Sequence, residues 1–452
     1  MVPMSTPLPV LCKTSSAAPL SRRKFLTAAG LSGMLAACSR PYESTPATSQ
    51  PERVAGTVDF WLPADPIFEE LFGNRLIPAF QEAYPKVSVA ITPVTGGWDV
   101  HYEKLLTAVA GGVPPDVTRG KEFWTADLAY RGALENLDPW LKRQKEVTPE
   151  RYHPAVWGIS RWRDGTYGIP LHYFIRHLFF NLTVFEEVGL FGSDGKPLVP
   201  NTWREYHDLA RKLSDPTKQR YGTELYNYGR SEDNTSHFQY FLTSAGGTYV
   251  NAERTKYTFN STAGIETLTF FVEMIRSGAC RPPTVSIPNA IPTGKIAMWF
   301  TGAFSMPSYD RNYPDLRYGL ALMPKNKSRG VVVRGNNLFL FSGSKQKEAA
   351  FRFMTFMARD DMSYIYTTTT GYPPTTKANE GKEPYSTDPR WKIVLEQAAV
   401  KENIFQPFFP GYVEGALLVA EELAAAYKGE KTPKDALADA EKRATEVLII
   451  PK

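Results

Sequence analysis

The hydrophobic pattern between residues 56 and 112 switches repeatedly between the periods of strands and helices. Residues 58–62 and 87–91 alternate side chains as half-buried strands do. Residues 68–84 repeat apolar side chains every three to four positions, and residues 99–110 end at two glycines, so both segments are predicted as helices. The order strand, helix, strand, helix predicts an α/β sheet.

Further helices are predicted later in the chain. Residues 261–278 begin at a capping serine, Ser261, and end at Gly278. Segment 344–358 repeats this design, and Thr432 precedes a proline that begins a last helix. A further helix opens at residues 201–203, and the buried stripe expected in the first of these helices is Ile265, Leu268, Val272 and Ile275.

The N-terminal segment has the pattern of an export signal. Arg22 and Arg23 precede an uncharged run, residues 25–37, that is shorter than the roughly 20 apolar residues a membrane-spanning helix needs. The arginine pair resembles the twin-arginine signal, and the residues that end at Cys38 resemble a bacterial lipobox. We therefore predict that residues 1–37 are a twin-arginine lipoprotein signal and that Cys38 is lipidated.

The segment after the signal is predicted to be a tether. Residues 38–56 are rich in Ser, Thr and Pro and offer little apolar surface to bury. Lipidated Cys38 would anchor the chain to the outer face of the cell membrane or in the periplasm. Cys280 then has no partner for a disulfide.

Composition narrows the class of protein. About 400 residues follow the tether, which exceeds the size of a single hydrophobic core and predicts two lobes. The net charge of +5 is modest and the basic residues are scattered, so nucleic acid is not an expected partner. Aromatic residues reach 13%, and several lie beside Gly, Pro or Asp, where exposed ring faces can bind sugar rings.

Seven segments, in order, resemble one protein family. They are AGGVPPDVTRGKEFW, DGTYGIPLHYF, PNTWREYHDLA, FLTSAGGTYV, GKIAMWFTGAF, LRYGLALMP with RGNNLFLFSG, and TGYPPTT. Together they resemble the extracellular solute-binding proteins of ABC importers, and specifically the large carbohydrate-binding group. The resemblance covers residues 56–450.

The resemblance implies an α/β fold of the periplasmic-binding-protein type II, with a ligand cleft and a hinge between two lobes. It implies a monomer that delivers a sugar or sugar-like solute to ABC permease subunits, without a cofactor or metal. The expected N-terminal lobe is residues 57–172 plus 326–362, the C-terminal lobe is residues 173–325 plus 363–450, and the crossings lie at 172–177, 323–327 and 360–372.

Ligand-binding residues are expected at the ends of strands and at the crossings. They are Trp61, Asp65, Trp98, Asp99, Glu122, Trp124, His172, Tyr173, Trp299, Thr301, Phe304, Arg334, Asn336 and Tyr372, with Lys121 beside them. Trp299 and Phe304 are expected to stack on the sugar. Asp116 is predicted to be structural, because Asp after Pro often turns or caps the backbone.

Two departures from the family pattern bear on the ligand. Phe304 stands where relatives often have Trp, so the indole N–H donor is lost. Arg334 and Gly335 stand where the pattern often reads Gly-Gly, and this arginine could bring a charge to a phosphate- or carboxylate-bearing ligand.

Other functions are weaker interpretations of the sequence. The Pro292–Ile296 segment lacks the first glycine and the Ser/Thr of a phosphate loop, and neither G-x-S-x-G nor H-E-x-x-H occurs. A glycoside-acting enzyme with two carboxylates across a cleft stays open. A carrier of glycerol phosphate stays open as well, as does an iron carrier that uses Tyr226 and Tyr228.

Overall fold

A computed structural model describes residues 54–225, 228–405 and 408–450. The predicted signal, Cys38 and almost all of the tether lie outside these residues. Within them no helix combines the length and the apolar character that crossing a bilayer requires.

The strands form two main sheets and one small hairpin. In chain order the strands are β1 (Gly56–Pro63), β2 (Val87–Val94), β3 (Val117–Lys121), β4 (Arg161–Trp162), β5 (Gly165–Thr166), β6 (Gly168–Phe174), β7 (His177–Asn181), β8 (Tyr221–Thr223), β9 (Ile296–Thr301), β10 (Tyr318–Ala321), β11 (Val332–Leu340) and β12 (Ile404–Phe405).

Helices follow or precede most of these strands. In chain order they are α1 (Pro66–Leu71), α2 (Ile77–Ala83), α3 (Gly97–Ala110), α4 (Trp124–Tyr130), α5 (Asp138–Leu141), α6 (Pro154–Gly158), α7 (Leu182–Glu187), α8 (Trp203–Leu213), α9 (Glu232–Ser244), α10 (Thr262–Arg276), α11 (Met306–Asn312), α12 (Lys347–Met357), α13 (Asp360–Thr370), α14 (Pro389–Ala398), α15 (Tyr412–Lys428) and α16 (Pro433–Glu446).

The first sheet has the order β12-β11-β3-β1-β2, and β6 also pairs with β11. Strand β1 runs parallel to β2 and β3, whereas β11 runs antiparallel to β3 and β6. The second sheet has the order β10-β7-β9-β8. The α/β class predicted from the sequence is confirmed.

The chain passes from the first sheet to the second through the two residues between β6 and β7, and returns between β10 and β11. Strand β12 pairs with the first sheet although residues 404–405 lie in the range expected for the C-terminal lobe. The lobe boundaries given above stay a prediction.

Most predicted helices and strands are present, with two differences. The single helix expected over 68–84 is divided into α1, a π-helical turn at Phe72–Leu76, and α2. The helix that Ser261 caps, through its side chain and the Gly264 N–H, buries Leu268 and Val272, but Ile265 and Ile275 are only half-buried. Its buried face is instead completed by Phe271 and Met274.

Asp116 is structural, as predicted. Its Oδ2 atom accepts a hydrogen bond of 2.9 Å from the backbone N–H of Asp59, and its Oδ1 atom accepts one from the Ser344 hydroxyl. The carboxylate therefore ties the start of β3 to β1 and to the turn before α12.

Helix α8 packs on β8 through a glycine that leaves no room for a side chain. A Cβ atom at Gly222 would lie 1.9 Å from the carbonyl oxygen of Ala210. We expect Gly222→Ala to lower the free energy of unfolding by at least about 1–3 kcal/mol, because the backbone of α8 must move. Thermal unfolding followed by circular dichroism measures this effect.

Gly158→Ala is the matched control, since a Cβ atom there meets no atom within 4 Å. It should leave the melting temperature unchanged or raise it slightly, as Ala favours helix over Gly by about 1 kcal/mol. A Gly222→Ala protein that melts with the wild type would contradict this packing.

Candidate ligand-binding site

A cavity of about 310 Å³ lies where three strands of the first sheet end. Pro63, Lys121 and Phe174 are the last residues of β1, β3 and β6, and all three line it. Open α/β sheets place their ligands at the carboxyl ends of their strands. The remaining walls come from the starts of α1, α3 and α9, from β11, and from the turns that contain Phe304 and Tyr372.

The structure brings half of the expected ligand-binding residues to this cavity. Those that line it are Asp65, Trp98, Glu122, Phe304, Arg334, Asn336 and Tyr372, together with Lys121. They come from six separate stretches of the chain, so their meeting is a property of the fold and not of local sequence.

Three residues expected at or after strands of the first sheet do not line this cavity. Trp61 is only half-buried, because Phe60 and Leu62 on either side take the core-facing positions of β1. Its indole N–H donates to Asp59 Oδ2 at 2.9 Å. Trp124 is fully buried in the core, where its ring packs on Tyr102 with a centroid distance of 4.9 Å. Asp99 is half-buried in the first turn of α3, and burial raises its pKa.

The two neighbours His172 and Tyr173 face opposite sides of β6, since successive strand residues alternate. His172 lies behind Tyr372, with a ring centroid distance of 3.6 Å and an interplanar angle of 12°. Tyr173 lines a separate cavity with Val333 and Phe405. Neither residue lines the cavity at the strand ends.

The expected stacking role of Trp299 is not supported by its position. It is 2% exposed and packs on Phe179 and Tyr309 in the core of the second sheet. Trp299 lies within β9, and every residue of this strand is buried. Thr301 ends the strand, and its hydroxyl shares a hydrogen bond of 2.7 Å with the Ser305 hydroxyl.

Three rings form one side of the cavity, which we call the aromatic wall: Phe174, Phe304 and Tyr372. The ring centroids of Phe174 and Phe304 are 5.4 Å apart, and those of Phe304 and Tyr372 are 5.6 Å apart. Burial holds the pKa of His172 well below its usual value, so a neutral imidazole supports Tyr372 from behind. The wall offers apolar ring faces to the C–H face of a ligand.

Charged residues that line the cavity, together with buried Glu232 behind them, form a group that we call the ion cluster: Lys121, Glu122, Glu232, Asp233 and Arg334. Arg334 donates to Glu122 Oε1 at 3.1 Å and to Glu232 Oε2 at 3.0 Å. Lys121 Nζ lies 3.2 Å from Glu232 Oε2 and 3.9 Å from Asp233 Oδ1. The Tyr412 hydroxyl donates to Glu232 Oε1 at 3.1 Å.

Burial and the neighbouring cations act in opposite directions on the pKa values of the buried carboxylates in the ion cluster. Burial alone would raise the pKa of Glu232, but Arg334 and Lys121 outweigh it and lower that pKa to about 2. Burial raises the pKa of Glu122, an effect that Arg334 opposes. The carboxylate that anchors the cluster is therefore Glu232, which the sequence analysis did not identify.

Several residues of the cavity were not expected from the sequence. Among them are Arg119, Phe174, Arg176 and Asp233. The guanidinium of Arg119 lies over the rings of Phe68 and Trp98, 3.7 and 4.9 Å from their centroids. The feature that could have identified Arg119 is a charged residue within the buried strand β3, because a buried charge requires a partner.

The cavity can therefore hold a small polar molecule that has an apolar face. The aromatic wall offers a surface for such a face, and the carboxylates and cations that line the cavity can accept and donate hydrogen bonds. Among the residues that the structure describes, no group of three His, Cys, Asp or Glu is arranged to hold a metal ion. Tyr226 of the iron-carrier alternative lies outside the described residues, and Tyr228 donates to the backbone carbonyl of Arg281.

The sequence profile of the bacterial extracellular solute-binding proteins matches residues 63–363. The chain belongs to this family. The family and fold expected from the seven segments are thus confirmed, since solved structures of the family share the two-lobe α/β fold.

This solute-binding protein is similar to three relatives along most of its length. A Brucella abortus chain named as a binding protein is 25% identical over 390 residues, which cover 85% of this chain and 90% of that one. The sn-glycerol-3-phosphate-binding periplasmic protein UgpB of Escherichia coli is 25% identical over 404 residues, with 83% and 89% covered. A solute-binding protein of Thermotoga lettingae, solved with α-D-tagatose, is 25% identical at a TM-score of 0.78, with 87% and 100% covered.

The ion cluster predicts how the stability of this solute-binding protein depends on pH. Since the pKa of Glu232 is lowered from 4.5 to about 2 on folding, its contribution is complete above pH 4.5 and is lost as the pH falls through about 2. Glu232→Gln should cost about 3–5 kcal/mol at pH 7, because it leaves Arg334 and Lys121 undercompensated. The difference in melting temperature from the wild type should shrink as the pH falls from 4.5 to 2.

Glu348→Gln is the control, because Glu348 pairs with Arg352 in a helix and its side chain is 43% exposed. It should change the melting temperature little at any pH. A Glu232→Gln protein whose deficit stays constant between pH 5 and pH 2 would show that Glu232 is not held ionised by the cluster.

Proposed function

We propose that this chain is the substrate-binding component of an ABC importer, which captures a sugar or sugar-like solute outside the membrane and delivers it to the permease. The observation that carries this proposal is the cavity at the ends of β1, β3 and β6, which is lined by both aromatic rings and paired charges. The Thermotoga protein was solved with α-D-tagatose, and the Escherichia coli protein is named for binding sn-glycerol 3-phosphate. Both are sugar or sugar-like solutes of the proposed kind.

Ligand capture would operate by closure of the two lobes. The cavity takes residues from the first sheet, such as Lys121 and Phe174, and from the loop after β9 of the second sheet, which holds Phe304. A ligand that contacts both groups favours the closed arrangement by its difference in affinity for the two states. The permease would then recognise the closed form.

The chain would act as a carrier without catalysing a reaction on its ligand. Membership of a family of solute-binding proteins supports this proposal. Incubation with oligosaccharides and chromatography of the products tests it, and release of shorter sugars would contradict it.

We also propose that the chain is exported in a folded state and anchored by a lipid. Arg22 and Arg23 would direct the folded protein through the twin-arginine route, and lipidated Cys38 would hold it as a monomer at the outer face of the membrane or in the periplasm. Residues 39–56 would then let the binding lobes reach the permease.

Phe304→Ala should weaken ligand binding while the protein stays folded. We expect about a tenfold rise in Kd for the sugar that stabilises the wild type most, since a stacked ring contributes about 0.5–1.5 kcal/mol beyond its buried area. Calorimetric titration with D-tagatose, D-glucose and sn-glycerol 3-phosphate measures it.

Trp299→Ala is the comparison for this experiment. Because Trp299 lies in the core of the second sheet, this change should lower the melting temperature, at a cost of about 3–5 kcal/mol. Unchanged affinity in a folded Phe304→Ala protein would remove the aromatic wall from the binding site.

Cys38→Ala should release the exported protein from the membrane fraction, because the lipid chains would have no attachment site. Replacing Arg22 and Arg23 together by Lys should instead retain the protein in the cytoplasm. Cell fractionation and immunoblotting distinguish the two results. Membrane association of the Cys38→Ala protein would contradict lipid anchoring at this residue.

A further inference from the structure

Arg119 is a buried cation without a carboxylate partner among the residues that the structure describes. It is 2% exposed and lines the cavity. Within residues 54–225, 228–405 and 408–450, no carboxylate oxygen lies within 4 Å of its guanidinium, and its Nε atom has no hydrogen-bond partner. Its polar neighbours are neutral: the Asn336 Oδ1 atom, at 3.2 Å from Nη2, and the Tyr366 hydroxyl.

Burying a charge without a counter-ion costs free energy. Two other buried arginines reduce this cost by pairing with carboxylates. Arg334 pairs with Glu122 and Glu232, and Arg220 pairs with Glu187 at 2.8 Å. Arg334 therefore has no charge to give to a ligand, contrary to the expectation from the sequence. The rings of Phe68 and Trp98 attract the Arg119 guanidinium but carry no net charge to offset it.

We propose that the Arg119 guanidinium binds an anionic group, a phosphate or a carboxylate, on a small polyhydroxylated ligand. The inference rests on the proposed function, because it places the solute in this cavity. Guanidinium N–H groups suit the two oxygens of such an anion. Arg176, which also lines the cavity 5.8 Å from the Phe304 ring, adds a second positive charge.

The rest of the cavity suits the hydroxyl-bearing part of the same ligand. Asp65 and Asp233 line it, and the Asp233 side chain is 31% exposed. Carboxylates accept hydrogen bonds from hydroxyl groups, while the aromatic wall covers C–H faces. A volume of about 310 Å³ is at the small end of ligand pockets, which favours a monosaccharide-sized solute over a long oligosaccharide.

Matched pairs of probes test the charge of the ligand. The pairs are glycerol with sn-glycerol 3-phosphate and D-galactose with D-galacturonate, and inorganic phosphate is measured alone. In calorimetric titrations of the mature protein, we expect the anionic member of at least one pair to bind at least tenfold more tightly than its neutral partner. Added salt should reduce this preference.

Arg119→Gln should weaken binding of the anionic member about 10- to 100-fold and affect the neutral member much less, as charge-assisted hydrogen bonds to the anionic group are lost. Arg119→Lys, which keeps the charge without the two-pronged geometry, should restore part of the affinity. These two variants separate loss of charge from loss of shape.

The ligand-free protein provides an independent readout. Arg119→Met removes a charge that has no counter-ion and should hold or raise the melting temperature. The matched change Arg334→Met strands Glu122 and Glu232 and should lower it. A marked fall in the melting temperature of Arg119→Met would show that Arg119 is structural and would overturn the inference.

The outcomes distinguish this inference from the proposed function. Equal or tighter binding of neutral members by the wild type, or an anion preference that survives in Arg119→Gln, would overturn the role of Arg119 and leave sugar capture standing. Failure of every neutral and anionic probe to bind would count against the solute-binding function, and the inference would fall with it.

Discussion

The buried charges of Lys121, Glu232 and Arg334 neutralise one another, and this pairing joins the first sheet to helix α9. Lys121 ends β3 and Arg334 lies in β11, whereas Glu232 begins α9. Helix α9 also packs on the second sheet, since His237 and Phe241 contact Phe300 of β9. Helix α9 therefore contacts both sheets, the first through Glu232 and the second through His237 and Phe241. The cavity lies beside the start of this helix, where Asp233 lines it.

The aromatic side of the cavity is supported by further buried rings. The rings of Tyr366, His172 and Tyr372 are nearly parallel, with centroids 3.6 to 6.2 Å apart. Burial is the main cause of the lowered pKa of His172, and the nearby charge of Arg119 lowers it further. Burial is the larger effect, and a neutral ring packs against Tyr372 without a desolvation cost for charge.

Sequence reasoning predicted the elements more fully than the site. The capping residues Ser261 and Thr432 and the strands at 58–62 and 87–91 are local signals, and the structure has them at those positions. The sequence could not show that Trp299 is a core residue. Strand β9 is buried on both faces, so neither alternation nor chain position distinguishes a core ring from one that stacks on a ligand. The partners of Arg334 are 102 and 212 residues away in the chain, and no local pattern could pair them.

The aromatic wall contains Phe at two of its three positions, and this composition determines how a ligand must lie. Phe174 and Phe304 have no polar atoms on their side chains, so they select for C–H surface and cannot orient hydroxyl groups. Hydrogen bonds to the ligand that we propose for this cavity would then come from its polar lining, which includes Asp65, Asp233 and Arg119. Such a ligand would lie with its C–H face on Phe174 and Phe304 and with its polar groups against these charged side chains. Phe304 adds no donor of its own, so selection among polar ligands would depend on the charged residues.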